Sequence, residues 1–301
     1  MSWDATKDPM VSDELSVREP PKILIPVRVL EGQTVPEPLV EFLTPAEIVV
    51  LGYHVLPEQT PTEQGSMQFE DRAQEAVEAI AKGFREAGGG VETRVVFTHD
   101  RDQTVDRVAN EVGATATLLP NPTGEVEDVL VAVRGSIDVA RLVDLVAALL
   151  ADDDADVTLW GLTGGGGYDA ESAVQRADAT LEQRGFDPER ITVEVSGSET
   201  PIYDIVARSV EFDVVVMGEG GPPVLSALFG DDAERVAEGA VAPVLVVRDL
   251  PEPAEEATDE HQSTDEVATD ASDSDGPVSG DDHSGETDET GETDETDGTE
   301  A

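Results

Sequence analysis

Residues 211–248 read EFDVVVMGEGGPPVLSALFGDDAERVAEGAVAPVLVVR. An apolar strand, Phe212–Met217, runs into a turn containing Gly218, Gly220 and Gly221. A helix is expected over Asp231–Gly239, and a second apolar strand over Val244–Val247. Strand, glycine turn and helix start together let backbone N–H groups face a phosphate. The position where an anion wants a hydroxyl or a cation holds Asp231, with Asp232 after it. The stretch is therefore either a nucleotide site or the remains of one.

Upstream, apolar strands alternate with helical patterns. Strands are expected at 22–29, 47–55, 91–98 and 114–119, with helices at 34–44, 69–87 and 104–112 and a loop at 57–66. Pro36 and Pro38 weaken the first helix. The pattern then restarts. Strands are expected at 128–133, 156–162 and 191–195, and helices at 139–151, 170–184 and 200–210, before the opening stretch closes the set. This is an internal repeat of about 100 residues. The first copy stops after its fourth strand and lacks a glycine turn, last helix and fifth strand. Strand–helix alternation with short apolar strands argues for parallel sheets covered on both faces.

The chain has 301 residues, 67 acidic against 18 basic, and a formal net charge of −49. Phosphate-backbone and anionic-membrane partners need basic clusters, so nucleic acid and membrane insertion are not expected. Acid in every segment, only three Lys and no Cys point to a protein built for high salt. Without Cys there is no disulfide framework and no thiolate chemistry. The start MSWDATKDPM has no apolar core of a leader, and no apolar run reaches the roughly 18 residues of a membrane span, so a cytoplasmic location is expected. Residues 1–20 read as a flexible arm. Residues 251–301 have no basic residue and a tandem GETDET, and read as a disordered acidic tail.

The repeat resembles the universal stress protein (UspA) family, in a tandem, haloarchaeal-type form. The openings KILIPV (22–27) and DVLVAV (128–133), the second strand VVLGYHVLP (49–57) and the close APVLVVRD (242–249) carry the likeness. It covers about residues 21–249, and is strongest at 206–249. The resemblance implies two adenine-nucleotide-alpha-hydrolase-like parallel sheets in tandem, of flavodoxin-like order. Residues 21–123 would form the truncated unit and 124–250 the complete one. It also implies ATP or AMP as the ligand, although no cofactor is firmly indicated. ATP-binding members carry G-x2-G-x9-G-[ST] after the fourth strand. Here Gly220 and Gly230 keep the long spacing, the earlier glycine falls at Met217, and Asp231 replaces the Ser or Thr. The family's nucleoside-contacting Asp aligns with Arg28 in the first unit and Arg134 in the second.

Ligands in open α/β sheets bind beyond the carboxyl ends of the strands, at the switch point. By the implied order, that crevice is framed by Arg134, Gly135 and Ser136 on one side. Gly218, Gly220, Gly221, Gly230 and Asp231 frame the other. Asp231 either repels phosphate, with Arg134 compensating in part or pairing with it instead, or simply caps its helix. Gly164–Gly167 lacks a Walker-type Lys and reads as a loop. The histidines His54, His99, His261 and His283 have no metal-ligand spacing, and no G-x-S-x-G elbow is present. The expectation is a binding or regulatory protein with a degenerate nucleotide site, and not an enzyme, with weak ATPase activity left open. The rival readings are an ATP- or AMP-binding switch and a regulatory partner of a transporter or kinase. A homodimer and an intrachain pseudo-dimer both fit the resemblance.

Overall fold

The computed structural model of the chain describes residues 20–134, 138–151, 153–163, 168–218 and 241–248. The apolar runs become nine strands. They are β1 (Lys22–Arg28), β2 (Glu47–Val55), β3 (Gly90–Thr98), β4 (Ala116–Leu119), β5 (Asp128–Arg134), β6 (Asp156–Thr163), β7 (Ile191–Gly197), β8 (Val214–Gly218) and β9 (Val244–Val247). All nine join one sheet in the order β3-β2-β1-β4-β9-β8-β5-β6-β7. Neighbours are parallel except β4 and β9, which are antiparallel, with Ala116 opposite Val247 and Leu119 opposite Val244. The expected pair of separate sheets is therefore replaced by one mixed sheet. β4 lacks a fifth strand of its own half, and β9 covers the backbone edge this leaves open.

Six described helices flank the sheet: α1 (Glu37–Phe42), α2 (Thr62–Glu86), α3 (Arg101–Val112), α4 (Val139–Leu149), α5 (Ala170–Gln183) and α6 (Pro201–Arg208). Alternation along the strands divides the core. In β1, Ile23, Ile25 and Val27 face the layer that holds α1, α2, α4 and α5. Leu24 faces α3 on the other side, where α6 also packs over Leu130, Ala132 and Trp160. This division explains the strand order. Right-handed crossovers on one face step in one direction, so α1 and α2 carry the chain outward from β1 to β3. α3, on the opposite face, returns it to β4 beside β1. Each half thus has the order 3-2-1-4, the dinucleotide-type order, and not the flavodoxin-like 2-1-3-4-5 that was expected.

Local departures from the expected elements have local causes. Pro36 occupies the N-cap of α1 and Pro38 its first turn, where the missing N–H costs nothing, so the prolines start the helix. α2 begins at Thr62, inside the expected loop. Its first two turns bury only Gly65 and so show no apolar periodicity. A Cβ on Gly65 would lie 2.7 Å from Leu56 Cδ1, so Leu56 holds this end of the helix down. Asp100, Asp138 and Asp169 cap α3, α4 and α5 by accepting from Gln103, Arg141 and Ser172 N–H groups. Gly113 ends α3 at φ +65°, a conformation that favours glycine.

The two halves match in register. Gly52 pairs with Val27, and Gly161 with Val133. Both glycines lie under a helix. A Cβ would come within 2.3 Å of Val77 Cγ2 at Gly52, and within 3.0 Å of Val174 Cγ1 at Gly161. One position later, Arg28 pairs with Tyr53 while Arg134 pairs with Leu162.

Candidate functional site

The switch point of the second half lies between β5 and β8. α4 leaves β5 on one face of the sheet and α6 enters β8 from the other, the arrangement in which open α/β sheets take ligands beyond the carboxyl ends of their strands. Arg134 is the last residue of β5 and Gly218 the last of β8. The strands are neighbours, with Ala132 opposite Met217, so the structure brings these two candidates to adjacent strand ends. Gly135, Ser136, Gly220, Gly221, Gly230 and Asp231 lie outside the described residues. Residues 1–19 of the N-terminal arm, the Gly164–Gly167 run, the helix expected over Asp231–Gly239 and the acidic tail lie outside them as well.

Arg134 continues the even-numbered set of β5, after Leu130 and Ala132, on the α6 face. Its side chain is half-buried, and burial lowers the guanidinium pKa from its usual value. Its Nε is buried and, among the described residues, meets no acceptor. No ion pair holds Arg134 among the described residues. A buried donor left unmatched costs about 1–3 kcal/mol, more where the group is charged.

Arg28, the counterpart in the first half, stands differently. Its Nε donates to Tyr53 Oη at 3.0 Å, its Nη1 approaches Glu31 at 3.5 Å, and its backbone N–H donates to Gln33 Oε1 at 2.9 Å. Tyr53 is 3% exposed, and the Arg101 guanidinium stacks 5.3 Å from its ring centroid. β4 and β9 are antiparallel, so the two halves run in opposite directions. Arg28 and Arg134 therefore lie at opposite ends of the sheet's strands. The sequence treats the two arginines as equivalents. Tyr53 went unremarked there, although one signal could have found it: Tyr follows Gly52 where Leu162 follows Gly161.

Other polar groups have structural partners. His54 packs edge-on to Phe69 and Phe97, and His99 Nε2 lies 2.9 Å from the Thr60 carbonyl. Among the described residues no group of three or more His, Asp or Glu is placed to hold a metal ion. A groove of about 690 Å³ lies between α1 and α2. Another, of about 640 Å³, is walled by Glu41, Glu125, Glu127, Asp128, Asp154 and Asp156, and its carboxylates would repel an anion. Neither groove includes Arg134. What Arg134 offers is one partly desolvated cation beside the end of β8, which suits an anionic ligand.

Residues 125–248 match the universal stress protein family. Universal stress protein G of Salmonella typhimurium is 33% identical over 82 residues, covering 27% of this chain and 56% of the relative. The protein of the same name from Salmonella typhi matches equally. The chain thus spans little more than half the length of the curated relatives it matches. A universal stress protein from Archaeoglobus fulgidus has a similar fold, with a TM-score of 0.52 at 14% identity over 75% of this chain and 96% of that one. That likeness of fold reaches well beyond residues 125–248. Among the described residues no helix is long and apolar enough to cross a membrane.

Proposed function

We propose that the chain is a universal stress-type binding and regulatory protein made of two successive units, residues 21–123 and 124–250. In this reading the second unit takes an adenine nucleotide, ATP or AMP, in the crevice between β5 and β8, and binding proceeds without turnover. One observation carries the reading: the Arg134 guanidinium sits half-buried at the switch point with an unmatched Nε. The site differs from the family pattern, with Arg134 in place of a nucleoside-contacting Asp and Asp231 in place of a hydroxyl. Those changes favour a ligand whose charge meets Arg134.

The test is equilibrium dialysis of the full chain with labelled ATP and AMP, with and without Mg²⁺, in high salt. Saturable binding is expected. Arg134→Met should weaken it roughly 10- to 100-fold, the weight of a hydrogen bond to a charged group. Phosphate release in the same samples should stay at the level of a protein-free control. Absence of saturable binding to the wild-type chain would overturn the proposal.

A further inference from the structure

We infer that the chain takes one anionic ligand and not two, because only one of its switch-point arginines is available for it. This rests on the reading of the Arg134 crevice as a ligand site, and it adds which group of the ligand is recognised and how many ligands bind. The repeat places an arginine at the end of the first strand of each half, in matching register. In the first half the neighbouring strand supplies Tyr53, whose hydroxyl accepts from Arg28 Nε at 3.0 Å. Arg28 is also drawn to Glu31, and its backbone is fixed by Gln33. That guanidinium is a strut tying β1 to β2. In the second half the register neighbour is Leu162, whose side chain accepts nothing. Among the described residues Arg134 Nε meets no acceptor, which leaves this buried donor for one that a ligand brings.

The acceptor must bring negative charge. A guanidinium presents donors in a planar fork that suits phosphate or carboxylate, and it gains little from a neutral ribose or base. The ligand class is a nucleoside phosphate held through its anionic group at the end of β5. The first half contributes no second site, since its equivalent cation already carries a hydrogen bond and an ion pair.

Two measurements on the full chain in high salt test this. The first is binding stoichiometry with AMP, using adenosine as the uncharged control. One AMP per chain is expected, with adenosine at least tenfold weaker. The second follows arginine Nε–H resonances during the AMP titration. The Arg134 signal should shift while the Arg28 signal stays in place. Arg134→Met should weaken AMP binding roughly 10- to 100-fold. Tyr53→Phe, which deletes only the hydroxyl that Arg28 uses, should leave the AMP affinity of the Arg134 site unchanged. Two AMP per chain, a shift confined to Arg28, or adenosine binding as tightly as AMP would each overturn the inference and leave nucleotide binding itself standing. No AMP binding at all would remove the underlying reading too.

Discussion

Tyr168 stands just before α5, with its ring against the core layer beneath α4 and α5. Its hydroxyl is buried and, among the described residues, has no acceptor. Burial raises the phenol pKa above its ordinary value of 10.0. Arg176 pulls it back down and Asp169 pushes it up. Both facts bear on stability. Removing an unmatched hydroxyl while keeping the ring removes a desolvation cost, so Tyr168→Phe should stabilise the fold by up to about 1 kcal/mol at neutral pH. The sign of the pH effect follows from linkage. The fold favours the neutral phenol, so this contribution is intact below 10.0 and is lost as pH rises through the raised value. The gap between Tyr168→Phe and wild type in denaturant unfolding should widen as pH rises from 10.0 toward the raised value and then level off. A constant gap would mean that the hydroxyl is solvated in the native state. Asp169, next in sequence, has its carboxyl held below the usual range by hydrogen bonds from Ser172, first from the hydroxyl and then from the backbone N–H.

β9 is a four-residue element on which the sheet's continuity depends, parallel to β8 on one side and antiparallel to β4 on the other. Its sequence, VLVV, is legible as a buried strand, but a uniform apolar run does not encode which neighbours it takes. The same limit applies across the fold. Strand positions and most helices were readable, because apolar runs and helical periodicity are local. The strand order was not, since it depends on which face each helix covers. The single sheet was not readable either, since it depends on the open β4 edge meeting β9. At the site, Arg134 and Gly218 were reachable by motif alignment. The tie between Arg28 and Tyr53 requires the register of β1 against β2. Arg248, just past β9, shows how the seam is fastened. It is 6% exposed, and its N–H donates to the Thr115 carbonyl at 2.9 Å. Its Nη2 donates to Asn110 Oδ1 of α3 at 3.1 Å, and its carbonyl accepts from Arg141 Nη1 of α4 at 3.3 Å. Arg248→Met should keep much of the packing and lose the α3 tie, costing about 1–3 kcal/mol in denaturant unfolding. Paired with Asn110→Ala, it should show a coupling above about 0.5 kcal/mol. Additive losses would mean that the Asn110 hydrogen bond contributes nothing, leaving packing and the Arg248–Asp106 ion pair at 3.7 Å to hold α3.

At the scale of the whole chain the dominant quantity is charge. With 67 acidic and 18 basic residues, most carboxylates have no cation to meet. Many described pairs are exposed, such as Lys82–Glu86 and Arg107–Glu111, and such pairs contribute little each. The groove walled by Glu125, Glu127, Asp128, Asp154 and Asp156 gathers like charges within one surface. Repulsion there reaches about 10 Å at 0.1 M salt and about 3 Å at 1 M, so the folded state should gain stability steeply as NaCl is added. Salt also strengthens apolar burial by exclusion from the surface, and a rising melting temperature alone does not separate the two causes. The triple substitution Glu125→Gln, Glu127→Gln and Asp154→Asn does. Exclusion acts equally on both chains, whereas screening acts only where charge remains. The variant should be more stable than wild type at low salt, by about 0.5 kcal/mol or more. The advantage should shrink toward zero near about 1 M NaCl as screening removes what the substitutions removed. Parallel salt curves for the two chains would assign the salt dependence to apolar burial and take the acidic groove out of the account.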